Sequence, residues 1–211
     1  MGRAYIWDLD GTLLDSYAAI VDGVYDAYKG FDVILDKNEI HEYVIKYSVN
    51  AYIEKMEAVT GLSFSLVKSR YSELEESKNG MITCMEGAED ILKVLKDRGD
   101  EHFVFTHRGF SSGPILERLG LLKYFTEVVS VARGFKRKPD PDAINFLLDK
   151  YKLDKDNTCY VGDRTLDMDC AHNAGIKGIL LLSEGSFTSP NGSETYVVEC
   201  LADISLRKIS E

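Results

Sequence analysis

The sequence has no apolar run long enough to cross a bilayer, so no membrane-spanning helix is expected. Its opening residues, MGRAYIWDLDG, hold too short an apolar stretch for a secretory leader, and Gly2 lacks the Ser or Thr that a myristoylation signal needs. Positive charge is in deficit: 25 Lys and Arg stand against 35 Asp and Glu, a net charge of -10. That excess of acid argues against a protein that coats nucleic acid or an anionic membrane, since both require a basic face. The four cysteines, Cys84, Cys159, Cys170 and Cys200, form no CxxC pair, and reduced, mostly buried thiols of a cytoplasmic protein are expected. His172 lies near Cys170, but no second Cys/His pair completes a zinc site, so both are expected to pack within a helix. Internal repeats and low-complexity segments are missing, and so are GxGxxG and P-loop signatures. A nicotinamide cofactor, or a nucleotide held by such a loop, is therefore not indicated. The sequence leaves the oligomeric state open.

What is present is a strong periodicity that changes character along the chain. Ala4–Trp7 is a short apolar run closed by Asp8-Leu9-Asp10-Gly11, the pattern of a buried strand running into a turn. From Ser16 to about Ser77 the spacing is helical throughout, with Ser16 and Asp36 or Asn38 placed as caps and Gly30 and Gly61 as stops. Beyond residue 83 strands and helices alternate. The strands expected are His102–Thr106, Glu127–Ser130, Cys159–Gly162 and Gly178–Leu182, with a further strand at Tyr196–Val198. Strands apolar on both faces and separated by helices predict a doubly wound parallel sheet, an α/β fold. The simplest architecture is a core of residues 1–15 and 83–211, interrupted after its first strand by an all-helical insert, residues 16–82.

In such a sheet ligands bind beyond the carboxyl ends of the strands. The first strand ends in Asp8 and Asp10, two carboxylates two residues apart, followed by Gly11, which permits a sharp turn. The second ends in Thr106, a hydroxyl donor. Lys138-Pro139-Asp140-Pro141 sets a lysine ahead of a helix, and the fourth strand runs into Asp163 and Asp167. Carboxylates gathered at one edge repel one another unless a cation sits among them, and hard oxygen donors suit Mg²⁺. Taken singly, an Asp-Gly turn, a Lys-Pro helix start or a Gly-Asp cap is ordinary chain punctuation. The weight lies in all four falling at strand ends on one edge.

These segments resemble the motifs of the haloacid dehalogenase superfamily. Asp8-Leu9-Asp10-Gly11-Thr12-Leu13 matches the first, Thr106 the second, Lys138-Pro139 the third, and Gly162-Asp163 through Asp167 the fourth. The helical insert resembles the cap of the subgroup that holds phosphoglycolate phosphatase, beta-phosphoglucomutase and the dehalogenases. The resemblance implies a Mg²⁺-dependent phosphatase acting on a small phosphate monoester, with Asp8 the nucleophile and Asp10 the acid and base. It implies that Thr106 and Lys138 hold the phosphoryl group, with the metal on Asp8, the Asp10 carbonyl and Asp163. Asp167 then either joins the metal or orients Lys138. The family's dehalogenases lack an acid at Asp10, which favours phosphate chemistry. A phosphoglucomutase-like transferase and a non-catalytic phosphate-binding protein are the alternatives, the first weakened by Gly162, where mutases tend to carry glutamate. His107, standing where the family often has Asn or Ser, is a candidate contact to the substrate. Lys46, among Tyr43, Tyr47 and Tyr52 whose spacing reads as helix packing, is a candidate within the cap.

Overall fold

The structure, a computed structural model, describes residues 2–206. Its contacts divide the chain into two compact units: one joins residues up to Asp15 with those from Thr83 onward, and the other is Ser16–Ile82.

The first unit begins with β1 (Ala4–Trp7) and the two-residue β2 (Leu14–Asp15). The second unit follows as α1 (Tyr17–Lys29), α2 (Lys37–Lys46), α3 (Val49–Thr60) and α4 (Phe64–Lys78). The first unit then resumes with β3 (Thr83–Cys84), α5 (Ala88–Asp97), β4 (Glu101–Thr106), α6 (Ser112–Arg118) and β5 (Glu127–Ser130). It closes with α7 (Asp142–Tyr151), β6 (Thr158–Gly162), α8 (Thr165–Ala174), β7 (Lys177–Leu181), β8 (Tyr196–Val198) and the short α9 (Asp203–Leu206).

Six strands form one sheet in the order β5-β4-β1-β6-β7-β8, and every pairing in it is parallel. β1 lies at the centre with all four residues buried, which is why it reads as an unbroken apolar run. Alternation along the strands splits their side chains between two faces. Ile6, Phe103, Phe105 and Tyr160 join Ile144 of α7 and Met168 of α8 in one cluster. Trp7 belongs to the other face, where its indole donates to His102 Nδ1 at 3.1 Å. β2 and β3 pair antiparallel as a separate two-stranded sheet, with Asp15 opposite Thr83.

In the second unit the chain folds around its own core, which includes Val24, Tyr28, Ile40, Tyr52, Met56 and Val67. Asp36 caps α2 by accepting from the amides of Asn38 and Glu39 at 2.7 and 3.1 Å, and Ser48 caps α3 through Ala51 at 3.0 Å. Gly61, at φ 72°, ends α3 in the left-handed conformation that glycine adopts without a steric cost. The tyrosines are packing residues: Tyr43 meets Tyr47 and Tyr52 at ring separations of 4.6 and 5.5 Å.

Among the described residues no helix is long and apolar enough to cross a membrane. All four cysteines are unbridged, Cys159 and Cys170 buried, Cys84 half-buried and Cys200 exposed. His172 is exposed on α8, so of the Cys170/His172 pair only the cysteine packs inside.

Candidate active site

The carboxyl end of β1 lies between β4 and β6, where the strand order turns in opposite directions and an open sheet leaves a crevice. The backbone N–H of Asp8 donates to the Val161 carbonyl at 2.9 Å, extending the ladder one residue and fixing Asp8 at that edge. The chain then wraps tightly. The Leu9 carbonyl accepts from the amides of Thr12, Leu13 and Leu14 at 3.1, 3.0 and 2.8 Å, and Gly11 takes a φ of 79° that only glycine tolerates easily.

Lys138 gathers the site. Its side chain has no exposure, and its ammonium lies 2.9 Å from Asp8 Oδ1 and 2.8 Å from Asp167 Oδ1. Burial alone would lower the lysine, but the Asp167 and Asp8 carboxylates outweigh it and hold the ammonium above its ordinary value. Phe105 and Tyr160 wall it, their rings 5.2 and 5.1 Å from the nitrogen. Burial also raises Asp8, with the Lys138 charge opposing that shift and the Asp167 charge adding to it. Asp167 is itself held from behind, its Oδ2 accepting from the Arg164 amide at 3.1 Å.

One carboxylate oxygen from each of Asp8, Asp163 and Asp167 lies within 4.8 Å of the others, and all three residues are buried. Asp8 Oδ2 is buried and receives no hydrogen bond. Asp163 Oδ1 accepts from the Thr12 hydroxyl at 3.2 Å. A buried carboxylate oxygen with no donor, facing a second acid, fits a hard divalent cation that keeps part of its water. Both oxygens of Asp167 already accept protein donors, so its geometry matches the orienting of Lys138 better than direct ligation.

Not every expected residue joins this group. The Asp10 carboxylate stands apart from the three acids, clasped by Arg108 through Nη2 at 2.6 Å and Nε at 3.0 Å. Arg108 is almost wholly buried, and its amide donates to the Thr106 hydroxyl at 3.1 Å, which turns the chain after β4. His107 faces the loop of Lys138, accepting that residue's amide on Nε2 at 2.8 Å. Lys46 belongs to the other unit, at the end of α2, its ammonium 5.4 Å over the Tyr47 ring. Sequence reasoning passed over Arg108, Thr12 and Tyr160. Thr12 could have been read from its place in Asp8-Leu9-Asp10-Gly11-Thr12; the clasp of Arg108 on Asp10, across 98 residues of chain, leaves no local signal.

Known proteins resemble this chain in sequence and in fold. The profile of the haloacid dehalogenase-like hydrolases matches residues 5–181. A phosphoglycolate phosphatase of Vibrio cholerae is 38% identical over 80% of this chain and 79% of its own length. Phosphoglycolate phosphatase 1 of Pseudomonas aeruginosa is 24% identical over 96% of this chain and 78% of its own. A crystal structure described as a predicted phosphoglycolate phosphatase from Haemophilus somnus superposes with a TM-score of 0.85, covering 97% of each chain at 21% identity. The chain belongs to the haloacid dehalogenase-like hydrolase family. It is thus an enzyme, a hydrolase whose curated relatives are phosphatases.

Proposed function

We propose that the protein is a Mg²⁺-dependent phosphatase that hydrolyses a small phosphate monoester through an aspartyl phosphate on Asp8. The observation that carries this reading is the state of Asp8: buried at the sheet edge, one oxygen on the Lys138 ammonium at 2.9 Å and the other without a donor. A carboxylate so placed is aimed, and a phosphoryl group arriving there meets the Lys138 charge that neutralises it. Asp8 and Asp163 would hold the metal, with the Asp10 carbonyl; the ion supplies charge neutralisation when bound.

In the first half-reaction an Asp8 oxygen bonds to phosphorus as the ester P–O bond breaks, and Asp10 gives a proton to the leaving oxygen. In the second, Asp10 takes a proton from the water that attacks the aspartyl phosphate, returning Asp8 and releasing phosphate. The clasp of Arg108 fixes where Asp10 points in both. Thr106 stands at the end of β4 to take a phosphoryl oxygen. The helices of Ser16–Ile82, Lys46 among them, are the segment we assign to selecting the leaving group.

A mutase-like reading meets an obstacle at residue 162. A Cβ there would lie 2.5 Å from the Asp167 side chain, so the glutamate found in such enzymes does not fit this arrangement. The first test is hydrolysis of an aryl phosphate with and without Mg²⁺, wild type beside Asp8→Asn. Metal-dependent turnover is expected from the wild type, with a loss of about 10⁴-fold or more in the variant. Turnover retained by Asp8→Asn sinks the aspartyl phosphate.

A further inference from the structure

Arg164 sits where a helix cap belongs and has the wrong chemistry for one. β6 ends at Gly162 and α8 starts at Thr165, and Arg164 takes the extended backbone of the N-cap between them. That position favours Ser, Thr, Asp or Asn, whose side-chain oxygen accepts from a first-turn amide. A guanidinium carries donors only. The turn is held from the other end instead, the Arg164 amide donating to Asp167 Oδ2 at 3.1 Å. A residue that breaks a local rule with no local gain is expected where function is at stake.

The geometry shows where its charge acts. Arg164 Nη2 lies 4.0 Å from Asp8 Oδ2, the oxygen that receives no hydrogen bond, while Lys138 holds Asp8 Oδ1 at 2.9 Å. Two cations thus address one carboxylate, one at each oxygen. The Arg164 side chain is only 12% exposed, so water and salt screen it weakly. Burial raises Asp8; the Lys138 charge opposes that rise, and the Arg164 charge opposes it less strongly. Charge balance gives the two cations different tasks. Arg108 already pairs with Asp10. Lys138 and one divalent ion would balance the buried Asp8, Asp163 and Asp167, leaving nothing over for a phosphate dianion. Arg164 provides that surplus. Its distance from Asp8 is too long for a hydrogen bond, so this ion pair has none to break when a phosphoryl group arrives.

We propose that Arg164 binds a non-bridging oxygen of the phosphoryl group that meets Asp8. The proposal rests on the reading of Asp8 as the site of phosphoryl transfer, and it is independent of what the leaving group is. It sets a second protein cation, beside Lys138, on the charge carried by the transferring group. The guanidinium fork suits two phosphoryl oxygens or one, which a lone ammonium does not distinguish.

The test is a binding measurement that needs no turnover. The full chain would be titrated calorimetrically with Mg²⁺ alone and with inorganic phosphate in Mg²⁺ buffer, wild type beside Arg164→Ser and Arg164→Lys. Serine is the better N-cap, so Arg164→Ser should unfold in urea at the same midpoint or a higher one. It is expected to bind inorganic phosphate at least about tenfold more weakly. Mg²⁺ should bind it no more weakly than the wild type, because a neighbouring positive charge is gone. Arg164→Lys should recover part of the phosphate affinity. Phosphate binding that is absent from the wild type, or unchanged in Arg164→Ser, overturns the proposal. A loss of phosphate binding matched by a loss of Mg²⁺ binding or of stability overturns it too, since Arg164 would then support the metal site or the fold. Aryl phosphate hydrolysis by the same wild-type preparation reports separately on the phosphatase reading, which can fail while the dependence of phosphate binding on Arg164 stands.

Discussion

His102 has its ring assigned by its neighbours. The Trp7 indole donates to Nδ1 at 3.1 Å, so the ring proton is on Nε2, which lies 3.1 Å from the Leu92 carbonyl. A second proton would set Nδ1–H against the indole N–H inside the core. Burial pushes the imidazole down to about 4 from 6.5. Between those values the unfolded chain binds a proton that the folded chain refuses, so stability falls as pH drops through that window and levels off below it. The shift corresponds to roughly 3 kcal/mol for this nearly inaccessible side chain. His102→Gln keeps an acceptor for Trp7 and a donor for Leu92 but cannot titrate. Urea unfolding at pH 7 and pH 4 should show the wild type losing about 2–3 kcal/mol more than the variant. Equal losses would show that His102 does not couple folding to protons. Nothing in the sequence around His102 announces this role, because both partners come from distant segments. The same holds for Arg108, whose proximity to Thr106 is plain in the chain and whose clasp on Asp10 is not.

At the scale of elements the legible parts were those with a periodicity to read. The alternation of apolar strands and amphipathic helices after residue 83 predicts a parallel sheet, and the sheet is parallel at every pairing. Glu127–Ser130 and Tyr196–Val198 form with the expected bounds. β2 and β3 went unread because two-residue strands show no alternation; only pairing defines them. Strand ends located the acids and Lys138 on one edge, yet the division of labour among the acids depends on side-chain geometry. The β6–α8 turn shows how fine that geometry is. Gly162 has an ordinary φ, but an added Cβ would lie 2.5 Å from Cβ, Cγ and Oδ2 of Asp167. Gly162→Ala must therefore displace the carboxylate that holds Lys138 at 2.8 Å. A misplacement on the order of 1 Å at a reacting centre costs about a hundredfold. We expect that loss in kcat/KM for an aryl phosphate, with about 1–3 kcal/mol of stability lost and the circular dichroism spectrum kept. Wild-type kinetics from Gly162→Ala would show that Asp167 does not need this position.

At the scale of the whole molecule, two of the buried clusters among the described residues divide cleanly between the two units. The cluster around Ile6, Phe103 and Tyr160 draws nothing from residues 16–82, and the cluster around Tyr28, Tyr52 and Met56 draws on nothing else. A unit with its own buried core can fold alone. The junction makes that testable, because Asp15 and Thr83, which flank the helical segment, are directly opposed across the antiparallel β2–β3 pair. The segment thus leaves and re-enters at what would otherwise be the tip of a hairpin. Replacing residues 16–82 with Asn-Gly, the residues a tight two-residue hairpin turn prefers, should close that hairpin without strain. The shortened chain is expected to unfold in one cooperative urea transition, with a slope reduced in proportion to the surface it no longer buries. If the helices select the leaving group, it should also retain Mg²⁺-dependent hydrolysis of an aryl phosphate. A chain with no cooperative transition would mean that the sheet depends on the helical segment for stability. A well-folded chain without hydrolysis would mean that the segment supplies part of the chemistry itself, and Lys46 would then be the first side chain to replace.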